Sequence, residues 1–374
     1  MWSNIIGQER VIGILKNIIT GKNLAHAYIF YGKEGVGKDA AAIELAKVLN
    51  CDNPVNGNEA CDKCKPCLEI QKFSYPLFKF VTAIPGTDES DNDTNMLAGL
   101  KEDQYENYID ELKKKSEDPY YKINIDGANN IKISTIRNLK RSIYLTGLAG
   151  KYKTYIISNC DKMNVASSNS LLKILEEPPA NSILILTTSK LNSLLPTING
   201  RCQKIKFDSI QKSEMIEYLR KKDSELKESE INFYTELSEG SISKLNSILD
   251  TQYLELRENV IEVLRAIVTF STLNMSSLID KISNKKDKQR IIQFLTLLQI
   301  WFRDILYKKA GNDSLIINTD KDETLTKMVS GFEWDIFTIL NLIEGSIKEL
   351  NDNLNVELML FNLFLQIKKS VKAV

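Results

Sequence analysis

The sequence has no surplus of charge, no long apolar run and almost no histidine. Lys and Arg together number 49, Asp and Glu together number 49, and the formal net charge of the 374 residues is zero. Domains that coat nucleic acid unaided carry a basic excess, so this chain does not belong with them by charge. No segment approaches the roughly 20 apolar residues of a membrane-spanning helix. The opening MWSNIIGQER lacks the basic start and apolar run of a secretory signal. A cytoplasmic location without a membrane partner is expected. The single histidine, His26, precedes an apolar strand and is expected to pack or cap rather than to ligate. There is no internal repeat and no low-complexity tract.

What is present is enough apolar residue, 43%, for sizeable cores. The length suggests two or three domains at about 100–200 residues each. From residue 1 to 207, short β-rich runs alternate with helical patterns: AYIFYG, FKFVTAI, KTYIISN, SILILTT and RCQKIKF read as strands. Helices are expected over 5–19, AAAIELAKVLN, 131–145 and 164–179, the last stopped by Pro178 and Pro179. Alternation of this kind predicts an α/β fold, a doubly wound parallel sheet with helices on both faces. After Phe207 no strand is expected. Residues 208–250 read as short helices and 251–374 as long amphipathic ones. The polar, acidic stretch 85–120 reads as a surface insertion.

The run YGKEGVGKDA follows the first strand and opens a helix. Gly32, Gly35 and Gly37 allow backbone N–H groups to wrap a phosphate, and Lys38 can reach the terminal phosphates of a nucleotide. The pattern G-x-x-x-x-G-K-[ST] then breaks, because Asp39 stands where a hydroxyl should hold magnesium. An added negative charge facing triphosphate oxygens is adverse. A hydrolytic site of this kind also needs an acidic pair after the second strand, and Ser158-Asn159 occupies that place. Neutral Asn159 cannot polarise water, and Asp161 falls two residues late. ATP binding is conceivable from the glycines and Lys38; productive hydrolysis is not expected.

Four of the six cysteines, Cys51, Cys61, Cys64 and Cys67, crowd into 17 residues. Paired C-x-x-C spacing predicts a closed tetrahedral Zn²⁺ site, structural rather than catalytic. The alternative is a reduced, unmetallated loop with one redox pair. Cys160 and Cys202 read as core or strand-end thiols. Arg201, just before the last strand, can be a surface arginine in a salt bridge, which spacing alone favours, or a cation offered to a neighbour's nucleotide.

Taken together, IIGQERV, HAYIFYG, the four-Cys module after the loop helix, IKISTIRNL, KTYIISNCDKMNVASSNSLLKILEEPP and LLPTINGRC run in the order seen in a known family. Over about residues 4–207 the chain resembles the AAA+ clamp-loader family of bacterial DNA polymerase III. The resemblance implies an AAA+ core over 1–207, a helical lid at 208–250 and a helical collar for oligomerisation at 251–374. It implies a stator subunit without ATPase activity of its own, working within the polymerase holoenzyme. Partners would be gamma/tau-type and delta-type subunits, with the sliding clamp and primed DNA in the assembled complex. The family's Ser-Arg-Cys motif appears as Gly200-Arg201-Cys202, which implies that Arg201 is an arginine finger for the adjacent subunit's ATP. Ser243, with Lys244 beside it, stands where active subunits carry a nucleotide-sensing arginine. Two alternatives are an ATP-hydrolysing motor subunit of the gamma/tau type, opposed by Asp39 and Ser158-Asn159, and a standalone zinc-dependent nucleic-acid-binding module. The zero net charge and the lack of a basic, aromatic-rich patch oppose the latter.

Overall fold

Five short apolar runs form one parallel sheet in the computed structural model, which describes residues 1–86, 97, 100–145, 150–249, 253–283, 288–350 and 355–373. The strands are β1 (Ala27–Tyr31), β2 (Phe78–Val81), β3 (Lys153–Ile157), β4 (Ser182–Thr188) and β5 (Gln203–Lys206), in the order β2-β3-β4-β1-β5. Every pairing is parallel. β3 and β4 are buried at every position, which is why they read as unbroken apolar runs rather than alternating ones. At the edge, β5 buries only Ile205 and exposes Lys204 and Lys206, charges that discourage pairing with another chain.

The helices of this part are α1 (Glu9–Thr20), α2 (Lys38–Asn50), α3 (Lys65–Gln71), α4 (Glu102–Glu117), α5 (Ile133–Tyr144), α6 (Val165–Glu176) and α7 (Pro196–Asn199), then α8 (Lys212–Lys222), α9 (Glu228–Ser238) and α10 (Ile242–Leu249). α2 is buried on nearly every face, as expected of a helix enclosed by its surroundings. α6 is capped by the Asn164 side chain, which accepts from Ser167 N at 2.8 Å, and it stops before Pro178.

Two compact units divide the chain: Met1–Lys222 with Ser238–Asn246, and Asp223–Leu237 with Ser247–Val374. The segment 208–250 contributes to both, α8 to the first and most of α9 to the second. The second unit also holds α11 (Tyr253–Thr269), α12 (Thr272–Ser283), α13 (Lys288–Lys309), α14 (Asp322–Gly331), α15 (Ile336–Glu349) and α16 (Val356–Lys369). Its core includes the Phe294–Phe364 and Phe302–Trp334 ring pairs, at 6.3 and 5.4 Å between centroids. Contrary to expectation, strands do recur after Phe207. β6 (Phe332–Trp334) pairs antiparallel with β7 (Val371–Ala373). A three-residue strand is too short to display a period in sequence.

The stretch 85–120 is described in part. Residues 87–96 and 98–99 lie outside the described residues. Within it, α4 is exposed at most positions but buries Tyr108, Glu111 and Lys115. Their spacing of three and four places them on one helical face, and their polar tips disguise that face as a solvent-exposed one.

Candidate functional site

In a parallel sheet all strands end on the same edge, and three strand ends meet around the glycine loop. β1 leads into Gly32, β3 into Ser158-Asn159, and β4 ends at Thr187-Thr188. α2 starts from Gly37, whose φ of 97° lies in the left-handed region that glycine accepts without strain. A Cβ added there would lie 3.0 Å from the Tyr120 hydroxyl, so the loop is packed closely as well as sharply turned.

Lys38 turns back on its own loop. Its Nζ donates to Gly32 O at 2.9 Å and to Lys33 O at 2.5 Å. Burial pushes its pKa down, while nearby Asp39 and Glu34 oppose that shift.

Asp39 is enclosed by donors. The Ser158 hydroxyl donates to its Oδ2 at 2.9 Å and the Thr187 hydroxyl to its Oδ1 at 2.7 Å. Lys115 Nζ, from α4, lies 3.1 Å from Oδ2. Both partners of that pair are largely shielded, with side chains 17% and 5% exposed. Burial alone would raise the Asp39 pKa, but the Lys115 ammonium and the two hydroxyls hold it below the ordinary carboxylate value.

These residues do not fit a magnesium nucleotide. The cation beside Asp39 is already a lysine, and the cavity left among Glu34, Lys38, Asp39, Lys115 and Tyr120 is about 50 Å³. Pockets for small ligands run to roughly 300–1,000 Å³. Asn159 adopts φ 52° and donates its N–H to Thr187 Oγ1 at 3.3 Å. Asp161 accepts from Thr188 Oγ1 at 2.6 Å. Ser243 borders the cavity, whereas Lys244 pairs with Glu239 at 3.2 Å, as Lys33 does at 2.7 Å. The α10 residue Ile242 donates its N–H to Gly35 O at 3.0 Å, so this segment seats directly on the loop.

Arg201 lies at the other edge of the sheet. Tyr28 is opposite Gln203 and Tyr31 opposite Lys206 in the parallel β1–β5 register. Arg201 precedes the start of β5 while the glycine loop follows the end of β1, a separation of roughly 20 Å along the strand direction. Its side chain is 38% exposed, and its guanidinium meets Glu176 Oε1 at 2.9 Å. It also donates to Thr197 O at 3.1 Å. Gly200 has φ −78° and ψ −17°, and a Cβ there would meet only Pro196 O, at 3.4 Å. A serine would adopt the same backbone, so glycine at this place does not by itself alter the turn.

The four clustered cysteines converge. Their sulfurs all lie within 4.8 Å of one another, with Cys51 and Cys64 at 3.9 Å. Four thiolates about 2.3 Å from a zinc ion stand ~3.8 Å apart, so the set fits a metal such as zinc. Backbone N–H groups point at the sulfurs, from Asp52 to Cys64 (3.5 Å), Cys61 to Cys51 (3.4 Å) and Cys64 to Cys61 (3.3 Å). The N–H groups of Lys63 and Cys64 bring the Cys61 pKa down to about 6, which favours the ligating thiolate. Elsewhere, Cys160 and Cys202 are buried thiols, and burial pushes Cys202 up to about 12. The ring Nε2 of His26 is buried without a hydrogen-bond partner.

The profile of the family described as DNA polymerase III, delta subunit, matches residues 7–211, more than half of the chain. The chain belongs to the DNA polymerase III delta-subunit family. A second profile, DNA polymerase III, delta subunit, C terminal, matches 251–369. The chain is 26% identical over 365 residues to DNA polymerase III subunit delta' of Bacillus subtilis, covering 97% of this chain and 96% of that one. It is also 26% identical over 350 residues to DNA polymerase III subunit tau of the same organism, covering 87% of this chain. It spans about half of that relative, 54% of its length. Among solved structures it is similar to a gamma subunit-related protein of Thermotoga maritima, with 14% identity, a TM-score of 0.45, and coverage of 96% of this chain and 99% of that one. The chain is thus homologous to DNA polymerase III clamp-loader subunits of the delta' and tau/gamma types. Among the described residues no helix is long and apolar enough to cross a membrane.

Sequence reasoning missed Lys115, Tyr120 and Thr187 as neighbours of the loop. Lys115 is 76 positions from Asp39 (115 − 39) and carries no local signature. Thr187-Thr188 had one available hint, a polar pair at the carboxyl end of an otherwise apolar strand.

Proposed function

We propose that this chain is a non-hydrolysing, stator-type subunit of a bacterial clamp loader. It contributes Arg201 to the ATP site of an adjacent gamma/tau-type subunit during loading of the sliding clamp on primed DNA. The observation that carries the proposal is the placement of Arg201 at the sheet edge opposite its own glycine loop. A cation so placed cannot serve a nucleotide held by its own chain, and it is exposed to a neighbour. Such an arginine stabilises charge developing on the transferred phosphoryl group. Residues 208–250 would act as the lid and 251–374 as the collar through which subunits assemble, in the cytoplasm. Zinc held by Cys51, Cys61, Cys64 and Cys67 would be structural, stabilising the loop after α2.

An ATP-hydrolysing motor subunit is the second reading, favoured by the equal identity to tau. It lacks a hydroxyl after Lys38 and an acidic pair after β3, and Asp39 is bound to Ser158, Thr187 and Lys115.

The test is ATP turnover by the reconstituted loader. Arg201→Ala is expected to leave assembly intact and to slow hydrolysis at the one site it serves by on the order of 10³-fold or more. Its Glu176 pair is exposed, so stability should change by less than about 1 kcal/mol. Unchanged turnover would remove Arg201 from the reaction. Magnesium-dependent turnover by the isolated chain would favour the motor reading.

A further inference from the structure

We propose that the segment from Lys115 to Lys122 is a built-in occupant of the phosphate site, with Lys115 serving as the cation of Asp39 in place of a divalent metal. The inference deepens the non-hydrolysing reading and rests on it, since it says why the loop is closed and by what. Asp39 is then not simply a lost magnesium ligand. It is the acceptor that a lysine of the same chain requires.

Three attachments hold the segment. Lys115 Nζ reaches Asp39 Oδ2 at 3.1 Å and donates to Tyr121 O at 2.8 Å. Tyr120 packs over Gly37, and its hydroxyl accepts from Ile6 N at 2.8 Å. Lys122 pairs with Glu34 in the loop itself at 2.8 Å. Opening the site to a nucleotide would require moving all three. It would also require freeing Lys38 from Gly32 O and Lys33 O, and stranding Asp39 beside a triphosphate. A buried carboxylate paired with a buried ammonium is stable only while both are present, so the pair locks the ends of β3 and β4 and the start of α2 to α4.

The experiment measures binding of a fluorescent methylanthraniloyl ATP, with and without magnesium, to the full-length chain and two variants. The native chain is expected to show no saturable binding. Lys115→Ala removes the occupant but leaves a buried charge, so it is accompanied by the double variant Asp39→Ser with Lys115→Ala, which restores the loop's usual hydroxyl and strands no charge. The double variant, folded by its circular dichroism and cooperative melting, is expected to bind the probe at least about tenfold more tightly, and only with magnesium. A folded double variant that still refuses the probe overturns the proposal. So does tight magnesium-dependent binding by the native chain, a measurement that decides the matter even where a variant does not fold. Binding by the native chain without turnover would overturn this occupancy while leaving the stator role standing. Unchanged loader turnover in Arg201→Ala would do the reverse.

Discussion

Among the described residues of the α/β unit, the four-cysteine cluster and the Asp39 cluster are built in opposite ways. At residues 51–67, four sulfurs within 4.8 Å converge on a point that suits an external cation. At Asp39 the cation is Lys115 of the same chain, and the space around the pair is about 50 Å³. The first site draws its donors from one short loop and, with all four as thiolates, would need a metal to balance them. The second draws Asp39, Ser158, Thr187 and Lys115 from four distant segments and is complete without one. A short-range donor set can leave its ion to the solvent. A long-range set can supply the ion itself, and in doing so it converts a ligand site into part of the core.

Metal removal should break this contrast most visibly. Metal analysis of the purified chain is expected to find one zinc. Cys64→Ser is expected to purify without it and to lose several kcal/mol, a fall on the order of 10 °C in Tm, because a structural zinc site contributes directly to folding. A strong chelator should lower the melting temperature of the native chain and leave the variant's unchanged. A metal-free native chain with the same melting temperature would mean that the four sulfurs pack as thiols and that the two sites do not differ in kind.

Acid should sharpen the contrast with a smaller effect. The Asp39 pKa is held below its ordinary value, so the folded state binds that proton less readily than the unfolded state does. The stabilisation is therefore present above the unfolded-state pKa, near 3.9, and is lost as pH falls through the depressed folded-state value. Denaturation midpoints of the native chain and of Asp39→Asn with Lys115→Met, taken from pH 7 down to pH 2, should converge at the acid end. Proton-driven loss of zinc is common to both proteins and cancels in the difference. A constant gap across the range would show that folding does not shift the Asp39 pKa.

These two sites also mark how much could be seen in the sequence. The five strands of the sheet and the cysteine site were legible because each depends on residues close in the chain: apolar runs for β3 and β4, C-x-x-C spacing for the sulfurs. The glycine loop was legible for the same reason, and so was the oddity of Asp39. What Asp39 is for was not, because Lys115 arrives through the fold from a helix whose polar tips concealed its buried face. The β6–β7 pair was hidden by shortness. The Arg201 separation from its own loop needed strand order and register, which no local pattern encodes.

The smallest effect should come from the exposed end of the same segment. Lys122 and Glu34 approach at 2.8 Å, closer than Lys115 and Asp39 at 3.1 Å, yet their side chains are 60% and 51% exposed. Solvent screens such a pair to about 0–1 kcal/mol, whereas removing one partner of a buried pair costs about 3–5 kcal/mol. Lys122→Ala should thus move the urea midpoint barely at all and leave the chain unable to bind the ATP probe, although it cuts the shorter of the two contacts. If Lys122→Ala alone admitted the probe, the segment would be held by its rim rather than by Lys115. Closure would then be a surface clasp, and the Asp39 pair would revert to a simple structural ion pair.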